Sequence, residues 1–432
     1  MATVDLSTPA GTWVHITSNN GLRFKASDMR LNHVLTIPAI DPRASSIGPM
    51  MAPLVVVESA KGFTAVACSN LPAIGVDGKK LTVTAGQVDV SADLPTLEAA
   101  VAFYRRSHPV VPKTSPGRPP HIARCVNLDL FLPEGRIAHR FEDAERLVKD
   151  LAARGLGRDT LLYICGMFAA YDSAYPRYVP AEEVGGSAGL SRLMETAKKH
   201  GVKIMPHVNL WAYDIKSGLI PNYLEFAVRE SDGTPMGYAG ITWVGSTNPL
   251  TYMRVDDKRW TDIWFGYIDD LVNRYSIDAL FLDQIGLTPD DGIKQGTIAM
   301  LERLHRDHPN LILAGEMLVE FVVPWVDIFT DWGTPWCGLA GDDLLGSFSP
   351  LVRLLFAGQI VYMGHMGLPS ATPGRYPWTN FPWVVEHGTD EAFRLAQAYR
   401  RALGGIPHVH LTDYRGRGLD PLSLEVLTGT PA

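Results

Sequence analysis

The sequence has 432 residues and only four cysteines, Cys68, Cys125, Cys165 and Cys337, none of them in a C-x-x-C pair. That excludes a zinc framework and a disulfide scaffold, and reads as four buried thiols. There is no surplus of positive charge: 39 Lys and Arg face 46 Asp and Glu, a net charge of -7. Nucleic acid and anionic membrane are therefore not expected partners. Long apolar runs are missing too, since the uncharged stretches 233–253 and 354–374 are interrupted by Gly, Pro, Thr, Asn or Gln, which excludes a membrane span. The amino terminus, MATVDLSTPAGTWVH, lacks the basic start and apolar core of a secretory signal. A cytoplasmic location is expected for the chain as it stands, with export left open if residues precede it. The run GGSAG at 185–189 has no Lys-Ser/Thr ending, so it reads as a flexible loop rather than a phosphate cradle.

What is present is a folding composition, 46% hydrophobic and 20% charged, at a length that suits one large domain and a smaller one. Residues 1–110 carry short β-prone runs at 12–17, 34–37, 54–58, 63–68 and 80–90, broken by turn residues, which predicts an antiparallel, sandwich-like domain. The Pro-rich stretch 111–120 can continue neither a helix nor a central strand and serves as the linker. From 121 to 432 the pattern changes to apolar strands alternating with amphipathic helices, which demands a parallel sheet with helices outside. Eight strands are expected, starting near 122, 160, 202, 278, 311, 326, 359 and 406, with helices at 140–153, 190–200, 258–275, 294–307 and 390–403. The fold class is thus α/β, a (β/α)8 TIM barrel preceded by a smaller antiparallel β-rich domain. The fifth and sixth strands leave room for little more than one helical turn between them. The surplus residues at 210–256 predict a long loop beside an active site.

In such barrels the chemistry stands at the carboxyl ends of strands. The fourth strand ends in ALFLDQIG, with Asp283 at its tip, and the fifth in LILAGEM, with Glu316. Adjacent parallel strands lie about 4.8 Å apart, so a carboxyl separation of roughly 5 to 6 Å is expected, the range of retaining glycosidases. Such enzymes need one ionised carboxylate to attack the anomeric carbon and one protonated carboxyl for the departing oxygen. The bland alternative is that both acids merely cap strand ends. At the same rim PHVNLWAYD presents His207, Asn209, Trp211 and Asp214, and CGMFAAYDSAYPRYVP presents Asp172. Strand six ends in Asp331 and Trp332, and Trp243, Trp336, Trp378 and Trp383 lie in loops. Each tryptophan alone reads as packing, whereas the set favours a rim for sugar stacking. His365 follows the seventh strand and is either a substrate contact or a structural histidine. His408 and His410 share one side of the last strand without the further ligands a metal needs.

The order of these residues resembles glycoside hydrolases of the α-amylase type and, more closely, the endo-α-N-acetylgalactosaminidase group, over roughly residues 122–335. The resemblance implies a nucleophile at Asp283 and a general acid/base at Glu316. The chain departs from the α-amylase pattern at Phe281, where an Arg is usual, at Pro206 and His207, where an Asp is usual, and in lacking Asn-His-Asp near strand seven. Starch-type α-glucan is therefore not the expected substrate. The expectation is a retaining glycoside hydrolase of α-linked glycosides, with an oligosaccharide or glycoside as its partner and needing neither cofactor nor metal. Asp172, His207, Asn209, Trp211, Asp214, Trp243, Asp331, Trp332 and His365 would hold the sugar. The rival readings are a non-catalytic carbohydrate-binding protein and a sugar isomerase, epimerase or lyase.

Overall fold

The structure is a computed structural model. It describes residues 1–18, 21–27, 50–77, 79–111, 121–237, 250–286, 290–331, 347–364, 397–398, 401, 404–411 and 413–429. In chain order the first strands are β1 (Ala2–Ser7), β2 (Trp13–Ile16), β3 (Leu22–Lys25), β4 (Leu54–Ser59), β5 (Gly62–Cys68), β6 (Ala73–Asp77), β7 (Lys80–Ala85) and β8 (Val88–Leu94). Helix α1 (Leu97–Ser107) ends this region. The next elements are β9 (Arg124–Asp129), α2 (Phe141–Ala153), β10 (Thr160–Cys165), α3 (Gly186–His200), β11 (Lys203–Asn209), β12 (Ala212–Asp214), β13 (Leu250–Tyr252) and α4 (Lys258–Tyr275). They are followed by β14 (Ala279–Asp283), α5 (Asp291–Asp307), β15 (Ile312–Gly315), β16 (Ile328–Asp331), β17 (Ser347–Phe348) and α6 (Leu351–Leu355). Last come β18 (Val361–Gly364), β19 (His408–Leu411), α7 (Tyr414–Arg417) and α8 (Pro421–Thr428).

Eight strands pair in parallel in the order β18-β16-β15-β14-β11-β10-β9-β19. The two outer members approach each other, with Ile406 N–H donating to Tyr362 O at 2.8 Å, so the sheet is a nearly closed barrel ringed by helices, consistent with a TIM barrel. All eight strands fall where the sequence predicts them. They read as continuous apolar runs because both faces are buried. Cys125, Tyr163, Met205, Phe281 and Ala314 fill the lumen, while their alternates Val126, Leu162, Ile204, Leu282 and Leu313 face the helices. Cys68, Cys125 and Cys165 are buried free thiols, and Cys337 lies outside the described residues. No helix among the described residues is long and apolar enough to cross a membrane.

The predicted helix at 258–275 is α4 to the residue. Helix α3 starts four residues earlier than expected, because the GGSAG run is its first turn and not a loop. Gly189 there lies against Phe141, whose Cδ2 a Cβ would meet at 2.9 Å, so the glycine lets α3 pack closely on α2. The 390–403 helix lies almost wholly outside the described residues, as does the 34–37 strand. Between β15 and β16 there is a single 3-10 turn, Glu320–Val322, in keeping with the short spacing. The long 210–256 segment is not structureless: β12 and β13 pair antiparallel within it.

The amino-terminal region is a separate antiparallel β-rich unit of two sheets, β1-β7-β6 and β17-β3-β2-β4-β5-β8. The expected single strand at 80–90 breaks at Gly86, with β7 in one sheet and β8 in the other. Helix α1 is an addition to the strands expected there, although Thr96 caps it, Glu98 stands in its first turn, and Arg105 and Arg106 in its last. The unit is tied to the barrel at two places. Strand β17, from the segment between barrel strands β16 and β18, adds an edge to the larger sheet, and His15 Nδ1 lies 2.8 Å from Ser349 Oγ beside it. Tyr104 and Arg105 of α1 both bond Glu320, in the turn that follows Glu316.

Candidate active site

The carboxyl end of β11 is the most firmly held part of the rim. Asn209 O accepts from the indole of Trp264 at 2.9 Å and from the Tyr178 hydroxyl at 2.8 Å, and Leu210 O accepts from the indole of Trp260 at 2.8 Å. Both indoles come from one face of α4, four residues apart, and both are fully buried. Truncating either to Ala would cost about 3 to 5 kcal/mol. With its backbone fixed, the Asn209 side chain has one orientation: Oδ1 accepts the Trp211 and Ala212 amides at 3.0 and 2.8 Å, and Nδ2 donates to Asp283 Oδ2 at 2.8 Å.

Asp283 ends β14, and Glu316 follows β15 in matching register, its N–H bonded to Leu282 O at 3.1 Å. Both are buried, at 7% and 4% exposure, and each carboxyl shifts the other's proton affinity. The turns that follow the two strands also lie close together. A Cβ on Gly286 would stand 1.8 Å from Met317 O, so only glycine permits that approach.

The pair is electrostatically asymmetric. Burial pushes both carboxyls up. At Asp283 the close approach of His207, the neighbouring Glu316 carboxyl and the Asn209 amide overcome it, and the group lies below its usual range. At Glu316 the charge and hydrogen bond of Asp283 add to burial and outweigh the Gln284 N–H, 3.2 Å from Oε2, so the group lies well above its usual range. The surroundings thus favour the proton on Glu316 over Asp283.

Asp172 sits half-buried with a left-handed backbone, φ 58°, close enough to feel the Asp283 charge, and burial together with that charge raises it to about 7. His207 is buried, with Nε2 3.7 Å from Asp283 Oδ2. That distance is beyond a hydrogen bond but within electrostatic reach. Asp214 commits its oxygens to the Ala174 and Lys216 amides at 2.8 and 2.9 Å, tying the loop after β10 to β12. Trp211 is buried against Tyr252, ring centroids 5.0 Å apart, and its indole N–H has no acceptor among the described residues. Asp331 ends β16, and its side chain, like Trp243, Trp332 and His365, lies outside the described residues.

Asp172, His207 and Asp283 offer ligand atoms within 4.8 Å of one another, a different set from the H-x-H pair weighed in the sequence. The fit to a cation is poor, since Asp283 Oδ2 already accepts the Asn209 amide at 2.8 Å. His408 and His410 do share one buried side of β19, and His410 Nε2 lies 2.8 Å from Asp129 Oδ2 at the end of β9. Sequence reasoning missed this Asp129–His410 pair, and it missed Tyr163, whose hydroxyl is 2.6 Å from His207 Nδ1. Strand alternation would have found them, because Asp129 shares its side of β9 with Cys125, Tyr163 its side of β10 with Cys165, and His410 its side of β19 with His408.

Residues 161–366 match the model of a family described as a domain of unknown function, DUF6259. No curated protein matches the sequence. Solved structures do. The α-N-acetylgalactosaminidase NagBb of Bifidobacterium bifidum, in complex with GalNAc, aligns with a TM-score of 0.64 at 16% identity over 84% of this chain and 66% of its own. The α-galactosidase TtGalA of Thermus thermophilus aligns with a TM-score of 0.62 at 15% identity, covering 96% of this chain and 86% of its own. The galactosidase domain of the α-galactosidase–sucrose kinase AgaSK gives 0.52 at 13% identity, over 93% and 61%. The chain spans 66% of the length of NagBb. Its structural neighbours are thus glycoside hydrolases of the α-N-acetylgalactosaminidase and α-galactosidase kind, and the likeness is one of fold.

Proposed function

We propose that the protein is a retaining glycoside hydrolase acting on an α-linked sugar, with Asp283 as nucleophile and Glu316 as general acid/base. The observation that carries the reading is the pair of buried acids at the ends of adjacent barrel strands, with their surroundings pushing Asp283 below and Glu316 above its usual range. An arriving glycosidic oxygen takes the place of Asp283 as acceptor of the Glu316 proton. Asp283 then attacks the anomeric carbon as the bond to that oxygen breaks, and the leaving group departs with the proton. In the second step Glu316 takes a proton from water, whose oxygen displaces Asp283 from the sugar.

Asn209 and His207 hold the nucleophile, and Asp172 stands where it meets sugar hydroxyls. The sugars bound in the neighbouring structures, GalNAc and stachyose, favour an α-galactoside or its N-acetylamino analogue as the first substrates to try. We read the chain as a β-rich domain over 1–110, a linker at 111–120 and a catalytic barrel from 121.

The test is a panel of α- and β-linked nitrophenyl sugars, with proton NMR of the first anomer released. An α-glycoside releasing the α-anomer is expected. Release of the β-anomer would exclude a covalent Asp283 intermediate, and no turnover of any member would favour a binding protein.

A further inference from the structure

The two ring nitrogens of His207 meet groups of opposite demand. On one side the hydroxyl of Tyr163, from the neighbouring strand β10, lies 2.6 Å from Nδ1. On the other, Nε2 faces Asp283 Oδ2 at 3.7 Å and has no hydrogen-bond partner among the described residues. Both rings are buried, at 2% and 4% exposure. The imidazole is further wedged by Tyr171, edge-on at 4.8 Å, and Phe281 at 5.2 Å, so packing fixes its plane as firmly as the phenol does.

A neutral imidazole carries one N–H and one lone pair, and the partner of one nitrogen decides what the other presents. A lone pair on Nε2 would point at the oxygens of Asp283 and Asp172, which belong to the same cluster. An N–H there would be attracted to both. Tyr163 is equipped to be the donor, because burial, then Cys165 and the charge of Asp283, push its ionisation well above the ordinary range. The Cys165 sulfur is a rival acceptor for the phenol proton, but sulfur accepts more weakly than an imidazole nitrogen.

We propose that Tyr163 is a positioning residue that locks His207 in the tautomer with its proton on Nε2, so that an N–H dipole faces Asp283 and Asp172. The lock keeps Asp283 ionised and oriented while the proton stays on Glu316. That consequence for catalysis rests on the glycosidase reading, whereas the tautomer itself does not.

The experiment is long-range nitrogen–proton NMR of the histidines in the uniformly nitrogen-15-labelled full chain, with His207 assigned by the signals lost in His207→Asn. The wild type is expected to show a protonated Nε2 and an unprotonated, hydrogen-bonded Nδ1. Tyr163→Phe should shift the Nδ1 signal and populate the second tautomer, while Cys165→Ala should leave the spectrum of His207 unchanged. A wild type with the proton on Nδ1, or on both nitrogens, overturns the proposal. So does a Tyr163→Phe spectrum identical to wild type. If Tyr163→Phe does not fold, the wild-type spectrum still decides the tautomer.

With a cleavable glycoside, Tyr163→Phe is further expected to lower kcat about tenfold at constant KM and to move the acid limb of the pH profile upward. Wild type that turns over no glycoside would defeat the functional reading and leave the spectral result standing. Turnover together with the opposite tautomer would defeat only the lock.

Discussion

The carboxyls of Asp283 and Glu316 lie buried at the ends of neighbouring parallel strands, and their surroundings push the two in opposite directions. Neither residue produces that asymmetry alone. His207 and the Asn209 amide lie on the Asp283 side, whereas Glu316 is left with burial, its neighbour's charge and one weakly opposing backbone N–H. The division of labour between nucleophile and acid is therefore encoded by β11, which supplies both supporting residues, as much as by β14 and β15.

Asp283→Asn tests the nucleophile. The amide keeps the volume and can still accept from Asn209, so the fold is expected to survive, with unchanged far-ultraviolet circular dichroism. Turnover of an aryl α-glycoside should fall by about a thousandfold or more. Activity within a factor of about two of wild type would remove Asp283 from the mechanism.

Glu316 links activity to stability through pH. Burial, then the Asp283 charge and hydrogen bond, raise its folded-state value above the ordinary 4.5. It therefore binds its proton more tightly folded than unfolded. The stability this gives is complete below 4.5 and is lost as pH rises through the folded value. Glu316→Gln, neutral at every pH, should lose the alkaline limb of kcat/KM. Its Tm relative to wild type should also rise with pH from 4.5 up to the folded value and level off above it, as calorimetry across a pH series would show. Asp172, raised to about 7, is the second carboxyl of the site that burial pushes up. Any limb that Asp172→Asn abolishes belongs to it and not to Glu316.

Asn209→Ala removes the Asp283 contact and strands two buried backbone amides, those of Trp211 and Ala212. The loss of stability is expected to be about 1 to 3 kcal/mol by urea denaturation. The fall in kcat should be about ten- to a hundredfold, because an unheld nucleophile samples other orientations. A variant that lost stability but kept its kcat would show that Asn209 serves the fold alone.

Much of this was legible in the sequence because it depends on periodicity. Eight buried strands announce themselves as apolar runs, and a strand's last polar residue marks the rim, which is how Asp283, Glu316 and Asn209 were found. Tyr163, deeper in β10, was not, since it sits in a run whose apolar character hides its direction, whereas Asp129 ends β9 and falls under the same rule. The split of 80–90 into β7 and β8 was hidden for a related reason: local sequence records that a turn occurs but not which sheet each arm joins. The bond of Tyr104 to Glu320 and that of His15 to Ser349 join residues hundreds of positions apart, and nothing in either neighbourhood signals the other.

Gly286 offers a test of whether the convergence of the two loops sets the geometry of the pair. Adding one methyl group would place a carbon 1.8 Å from Met317 O, a backbone atom, so the turn after β14 or the one after β15 must move. Met317 directly follows Glu316, and displacement is passed to the acid. A misplacement of about 1 Å costs on the order of a hundredfold in rate, and that is the expected effect of Gly286→Ala on kcat, with loss of stability beside it. Gly266 is the control. It lies in the interior of α4, where a Cβ would meet no atom within 4 Å, so Gly266→Ala should raise stability by about 0.5 to 1 kcal/mol and leave kcat alone. Equal kcat values for the two alanine variants would mean that the loops follow the carboxyl pair and do not set it.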